Sequence, residues 1–270
     1  GGTQLYIEPG EVRTVEELMK GVAIRSANDA SVSLGEHIAG TEELFVKQMN
    51  DRAKELGMKN TKFMNTNGLD AEGHLTTAHD IALMSRELIK YKGVQKWLKT
   101  WMDTVVVGKK KSVQSLVNTN RLIRFYKGAN GIKTGYTSKA KHCLSASATR
   151  GNSTFIAVVM AAPSSPIRFS EAAKLLDYGF ANYDTIKVAK KDDIVGNIKL
   201  NKGKKTQMNV FAKDDLNVLI KKGKDADVQK EMILPPFVDA PISKHDKIGE
   251  IIATLDGKEV GKTNIVSGED

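Results

Sequence analysis

Three consecutive residues in the middle of the chain could bind a peptide that ends in a carboxylate. They are Lys133, Thr134 and Gly135, in a stretch that favours an edge strand opening a hairpin. Side chains alternate along a strand, so Lys133 and Thr134 would lie on opposite faces. Gly135 has no side chain and lets another backbone approach closely. A cation, a hydroxyl and an open backbone suit such a ligand, but a solvated strand end would look the same.

A second polar cluster, Ser26-Ala27-Asn28, interrupts an apolar helical pattern. The preceding helix begins with a capping box, with Thr14 at the N-cap and Glu17 reaching back to it. Apolar spacing resumes after the cluster, which predicts a break between two helical segments. Without further information, Ser26 and Asn28 could simply cap this break.

The first two thirds of the chain read as helices around a small antiparallel sheet. An alternating pattern at residues 4–8 predicts a short strand. Caps at Thr41 and Thr77 predict two further helices. The Lys133 strand and two β-like runs after it predict an antiparallel meander, and Pro166 suits the first turn of a closing helix.

The pattern changes near residue 184. From there onward, short β-like runs alternate with Gly, Asp and Lys turns, and no long helix is evident. We therefore predict two domains, residues 1–183 and 184–270, of which the second is small and all-β. The predicted fold class is α+β.

The charge, cysteine and histidine content of the chain argues against nucleic-acid and metal binding. The 270 residues carry a net charge of +9, but no aromatic interleaving or recognition motif accompanies it, so we expect no nucleic-acid partner. A solubilising surface, or attraction to an anionic wall or membrane, explains the charge better. The single Cys143 excludes an internal disulfide and a cysteine zinc site. The histidines lack ligand spacing, so we expect no metal and no cofactor.

Together, the two clusters resemble motifs of the serine D-alanyl-D-alanine carboxypeptidases. These are the low-molecular-weight penicillin-binding proteins, peptidase family S11. Ser26-Ala27-Asn28 resembles their Ser-x-Asn motif, and Gly131 to Thr137 resembles their Lys-Thr-Gly motif. Other stretches are family-like, at residues 8–11, 56–69 and 168–180. The resemblance implies a transpeptidase domain like that of penicillin-binding proteins and β-lactamases, with its N-terminal part missing, followed by a small all-β domain.

The family nucleophile belongs to a third motif, Ser-x-x-Lys. Its literal match here, Ser138 to Lys141, follows the Lys133 strand at a hairpin turn, where no helix could place Lys141 beneath Ser138. We reject that match. The expectation is that the chain begins after the true motif and is inactive by itself. The missing segment would be a separate piece, cut away, or absent by truncation.

The resemblance also implies a role for each site residue. Ser26 would relay a proton to the leaving group, and Asn28 would hold the substrate amide. Lys133 would attract the terminal carboxylate and support Ser26, while Thr134 would hydrogen-bond that carboxylate. The Tyr136 backbone N–H would form half of an oxyanion hole, and Gly135 would keep the strand open. The cleft rim would include three residues, Asn118, Asn120 and Arg121.

The implied activity is removal of the terminal D-Ala from peptidoglycan stem peptides through a serine acyl-enzyme, with acylation by penicillins and other β-lactams. The implied location is exported, at the extracytoplasmic face of the membrane or cell wall, with a role in cell shape. A C-terminal amphipathic helix, absent here, would hold the parent protein to the membrane. The alternatives are an inactive wall-binding or regulatory relative and, with less support, a class A β-lactamase.

Overall fold

The computed structural model describes residues 2–268, and these divide into two compact units. The first comprises residues 2–150 and 154–179, and the second comprises residues 151–153 and 180–268. The predicted domain boundary at residue 183 remains a prediction.

The first unit is helical at its start and carries two small sheets. Its elements in chain order are α1 (Val15–Lys20), a π-helical turn (Gly21–Arg25), α2 (Asn28–Ala39), α3 (Glu42–Glu55), α4 (Ala78–Leu88), α5 (Lys92–Leu98), β1 (Met102–Val107), β2 (Ser112–Val117), α6 (Leu122–Phe125), β3 (Ala129–Thr137), β4 (Lys141–Arg150), β5 (Ser153–Ala162) and α7 (Ser165–Asn182). Strands β1 and β2 form a hairpin, and β3, β4 and β5 form a three-stranded sheet in that order.

Local signals explain where the early helices start. Thr14 and Glu17 form the predicted capping box of α1, and Thr41 and Thr77 cap α3 and α4. The predicted edge position of the Lys133 strand is confirmed, since β3 has β4 on one side only. Antiparallel pairing sets Lys133 opposite Ser145 and Gly135 opposite Cys143.

The predicted strand at residues 4–8 is wrong. This segment is irregular, with Tyr6 at a left-handed φ of 59°, and it pairs with no strand among residues 2–268. Two of its backbone N–H groups donate to a side chain instead. Leu5 donates to Asp29 Oδ1 at 2.9 Å, and Ile7 donates to Asp29 Oδ2 at 3.1 Å. The Asp29 carboxylate on α2 thus takes the place of the hydrogen bonds that a neighbouring strand would accept. The alternation of apolar and polar residues in the sequence cannot reveal this.

The second unit is built from strands, as predicted. These are β6 (Tyr183–Ala189), β7 (Ile194–Asn201), β8 (Gln207–Ala212), β9 (Leu216–Lys221), β10 (Val228–Ile233), β11 (Phe237–Asp239), β12 (Lys247–Leu255) and β13 (Lys258–Ser267). Strands β6 and β9 pair, and the other six form a sheet in the order β10-β12-β13-β8-β7-β11. Val210, Val218, Ile251 and Ile265 from both sheets share one buried core.

Candidate active site

Ser26 lies where the first helical segment ends abruptly. The widened π-helical turn stops at Arg25, and Ser26 adopts a left-handed conformation with φ 66° and ψ 43°. Its N–H donates to the Val22 carbonyl at 3.2 Å. A left-handed residue other than glycine costs roughly 1 kcal/mol, and such strain clusters at functional sites. The turn leaves the Ser26 side chain half-buried at the helix junction.

Asn28 begins α2 directly after this break. Its N–H donates to the Thr3 carbonyl at 2.8 Å, and a Cβ built on Gly2 would lie 2.5 Å from Asn28 Nδ2. The amide therefore has a close backbone neighbour that only glycine permits. Together with the bonds from Asp29 to Leu5 and Ile7, this contact holds the start of the chain against α2.

Lys133 places its ammonium group in a largely desolvated position on β3. Ser145 beside it is buried and shares a 2.7 Å hydrogen bond with Ser85 of α4, so a helix covers this face of the sheet. The ammonium donates to the Thr134 carbonyl at 3.0 Å. Burial, with a smaller contribution from the nearby Arg168 guanidinium, lowers the pKa of Lys133 to about 8.

Arg168 is a site residue whose function the sequence does not indicate. It extends from α7 and is 7% exposed. Its guanidinium donates to the Gly135 carbonyl at 3.1 Å and to the Cys143 carbonyl at 3.3 Å, which fastens β3 to β4 beside the Lys-Thr-Gly residues. Burial lowers the pKa of Arg168 too. Two cations thus lie close together, and no carboxylate of the described residues 2–268 forms an ion pair with either, which favours an anionic ligand.

Thr119 connects the two clusters. Its N–H donates to the carbonyl of Ile24, two residues before Ser26, at 3.4 Å. Its hydroxyl lies 2.6 Å from the Thr134 hydroxyl. Beneath this bridge, three apolar side chains pack together, namely Ala23, Leu98 and Ile132. The structure therefore brings the Ser26 region and the Lys133 strand to one place.

Asn118 and Asn120 do not line the rim, contrary to expectation, because both side chains are buried. Asn118 Nδ2 donates to the Thr100 carbonyl at 2.9 Å, and Asn120 Nδ2 donates to the Gly131 carbonyl at 2.9 Å. These amides satisfy buried carbonyls and fix the segment that carries Thr119. The pattern Asn-Thr-Asn drew attention to the right segment but to the wrong two residues.

Gly135 and Tyr136 form the exposed end of the Lys133 strand. A Cβ on Gly135 would make only ordinary contact with Cys143, at 3.8 Å. Tyr136 is 62% exposed, and its ring centroid lies 4.6 Å from that of His142 on β4. This end of β3 is open to a peptide backbone approaching along the edge.

The rejected Ser-x-x-Lys match lies in the turn between β3 and β4. The Ser138 hydroxyl donates to Asp70 at 3.3 Å, and the Lys139 N–H donates to the same carboxylate at 3.4 Å. Lys141 begins β4 rather than a helix. This stretch therefore anchors a loop and has no helical geometry for a nucleophile.

Among residues 2–268, no three His, Cys, Asp or Glu side chains cluster in a way that could hold a metal ion. None of the described helices is long and apolar enough to cross a bilayer.

Comparison with protein families supports the predicted family and fold. Residues 1–164 match the family model of the S11 D-alanyl-D-alanine carboxypeptidases, and residues 183–270 match that of the C-terminal domain of penicillin-binding protein 5. The chain belongs to the S11 D-alanyl-D-alanine carboxypeptidase family. Its fold is that of the penicillin-binding proteins, with helices, antiparallel sheets and a C-terminal all-β domain.

Particular relatives cover the whole chain. The D-alanyl-D-alanine carboxypeptidase DacF of Bacillus subtilis is 44% identical over 271 residues, which is 100% of this chain and 69% of the relative. DacC of Escherichia coli is 33% identical, over 98% of this chain and 66% of the relative. Penicillin-binding protein 5 from Haemophilus influenzae superposes with a TM-score of 0.77 at 32% identity, covering 100% of this chain and 78% of that structure. The chain thus spans about two thirds of the length of these curated relatives.

Proposed function

We propose that this chain carries the substrate-binding half of a serine D-alanyl-D-alanine carboxypeptidase site. The substrate is a peptidoglycan stem peptide ending in D-Ala-D-Ala, and β-lactams bind at the same place. The observation that carries the proposal is the Thr119 bridge, which joins the Ser26 helix break to Thr134. Family membership supports the reaction, and the desolvated cations at Lys133 and Arg168 support a carboxylate ligand.

Each residue then has a role in acyl transfer. The Lys133 ammonium and the Thr134 hydroxyl hold the terminal carboxylate of the peptide. Asn28 orients the substrate amide, and Ser26 passes a proton to the departing D-alanine nitrogen. The Tyr136 N–H points to the carbonyl oxygen as charge develops there, an interaction whose loss typically costs ~100- to 1,000-fold in rate.

The attacking serine belongs to a Ser-x-x-Lys segment outside residues 1–270, joined to them or supplied as a separate piece. Two points support this proposal. Ser138 lies in a hairpin turn, where it cannot act as the nucleophile of a Ser-x-x-Lys motif, and the family carries that motif elsewhere. Residues 1–270 alone would then bind ligands without forming an acyl-enzyme. The protein would act at the extracytoplasmic side of the cell membrane, where its substrate is.

Labelled penicillin tests this proposal. We expect no covalent label on residues 1–270, and stoichiometric label on a version extended at its amino end by the family's Ser-x-x-Lys region. In the extended version, Lys133→Ala should slow acylation by ~100-fold or more, since the carboxylate loses its cation. Labelling of residues 1–270 alone would place the nucleophile within them. An extended version that folds but stays unlabelled would favour a non-catalytic wall-binding relative.

A further inference from the structure

Positive charge is concentrated in one part of the first unit. Residues 104–170 contain eleven Lys or Arg residues and no Asp or Glu. This stretch runs from β1 to the first turn of α7 and includes the whole of β3. Its field attracts anions well beyond a single carboxylate. The proposed site uses Lys133 and Arg168, so most of these cations lie outside it.

Two of the remaining arginines form cation–π contacts with aromatic rings. The guanidinium carbon of Arg124 lies 5.6 Å from the Trp101 ring centroid and 5.4 Å from that of Phe125. Arg121 lies 5.8 Å above the same Phe125 ring. The two rings meet edge to face at 6.3 Å. We call these four residues, Trp101, Arg121, Arg124 and Phe125, the arginine–aromatic patch.

The patch is exposed, and the described part of the chain gives it no acidic partner. Phe125 is 66% exposed, and both arginines are exposed. Among residues 2–268, no carboxylate forms an ion pair with Arg121 or Arg124. By contrast, Arg150, which lies over Tyr126, has Asp177 at 3.7 Å. Cation–π contacts with the two rings restrain both guanidinium groups in advance, so their donors are available to a ligand at little cost in side-chain entropy.

A short stretch of chain connects the patch to the proposed site. Arg121 follows Thr119 by two residues, and Thr119 contacts Thr134 directly. Asn120 between them is fixed to the Gly131 carbonyl. A ligand that uses both places must be long enough to run from Lys133 to the patch.

We propose that the arginine–aromatic patch binds the peptidoglycan polymer to which the stem peptide is attached. This inference rests on the proposed function. Free carboxylates along the peptides match the planar fork of guanidinium groups, and the C–H faces of the sugar rings match exposed Phe125. The patch recognises the polymer, while the Lys133 groove recognises the peptide end.

Co-sedimentation of residues 1–270 with isolated, protein-free peptidoglycan from which teichoic acid has been removed tests the proposal. Arg121→Ala/Arg124→Ala should weaken binding about tenfold, as expected for two lost charge-assisted contacts. Arg121→Lys/Arg124→Lys should recover only part of the loss, because lysine keeps the charge without the planar fork. Phe125→Ala should also weaken binding.

The matched control is Lys109→Ala/Lys110→Ala, which removes two exposed charges from the β1–β2 turn. If the control and the arginine variant lost the same amount of peptidoglycan binding, net charge alone would explain the effect, and the proposal would be overturned. So would arginine-dependent binding to phosphatidylglycerol vesicles but not to peptidoglycan. Sedimentation needs no catalysis. If penicillin failed to label the version extended by the Ser-x-x-Lys region while arginine-dependent sedimentation stayed intact, the proposed activity alone would be refuted.

Discussion

Lys133 keeps an ammonium group where protein replaces most of the surrounding water. The Thr134 carbonyl accepts a hydrogen bond from it, and Arg168 adds a like charge. Within the described residues 2–268, no carboxylate forms an ion pair with Lys133. Such a buried ammonium group lowers the folding stability of the ligand-free protein. Binding of an anion beside it is correspondingly favourable. A destabilised cation is what a carboxylate-binding site requires, because ligand binding then relieves repulsion as well as adding a contact.

The pH dependence of folding stability follows from this burial. With a pKa of about 8 in the folded state and a higher value when unfolded, the unfolded chain holds more protons between these values. Stability from this group therefore rises with pH above about 8, and the penalty is full below it.

Lys133→Met removes the penalty. We expect the variant to be more stable than the wild type at pH 6, by about 1–3 kcal/mol, with the difference shrinking towards pH 10. Urea unfolding at several pH values measures it, with exposed Lys139→Met as the control. A variant less stable than the wild type at pH 6 would show that the ammonium is compensated in the folded state.

At the scale of elements, local interactions were predictable and distant ones were not. The capping box of Thr14 and Glu17 lies within four residues, so the sequence alone predicts it. The predicted strand at residues 4–8 was wrong because its hydrogen-bond acceptor, Asp29, lies more than twenty residues away. Arg168 and Thr119 act through β3, which only the fold brings near them.

Two helical glycines illustrate how packing fixes an element. A Cβ on Gly179 of α7 would lie 2.9 Å from the Phe155 ring of β5, whereas a Cβ on Gly93 of α5 would meet nothing within 4 Å. We expect Gly179→Ala to destabilise the protein by about 1–3 kcal/mol. Gly93→Ala should instead stabilise it by about 0.5–1 kcal/mol, because alanine restricts the unfolded chain.

Thermal unfolding of both glycine variants provides the comparison. Equal effects in the two helices would mean that α7 does not pack on β5 as described.

For the whole molecule, the resemblance correctly predicted the family and the fold, because two short motifs and several longer stretches occur in order.

The domain boundary near residue 183 remains a prediction. The β strands from Tyr183 onward have their own buried core, with Val210, Val218 and Ile251 fully or almost fully buried.

Residues 184–270 should therefore fold when expressed alone. We expect a β-type circular dichroism spectrum and a cooperative thermal transition, since the described residues of this core lie between Ile186 and Ile265. A fragment that remains unfolded, while the intact chain shows ordered resonances for the same residues, would contradict the predicted boundary.

We propose that one ligand contacts the Ser26 helix break and the Lys133 strand at the same time. Amide resonances of residues 26–28 and 133–136 can be followed during titration with a short acylated peptide ending in D-Ala-D-Ala, with a matched L-Ala-L-Ala peptide as the control. We predict that both groups of resonances shift along one saturation curve with the D-peptide and respond little to the L-peptide. A response confined to one group, or two curves with different affinities, would contradict the account.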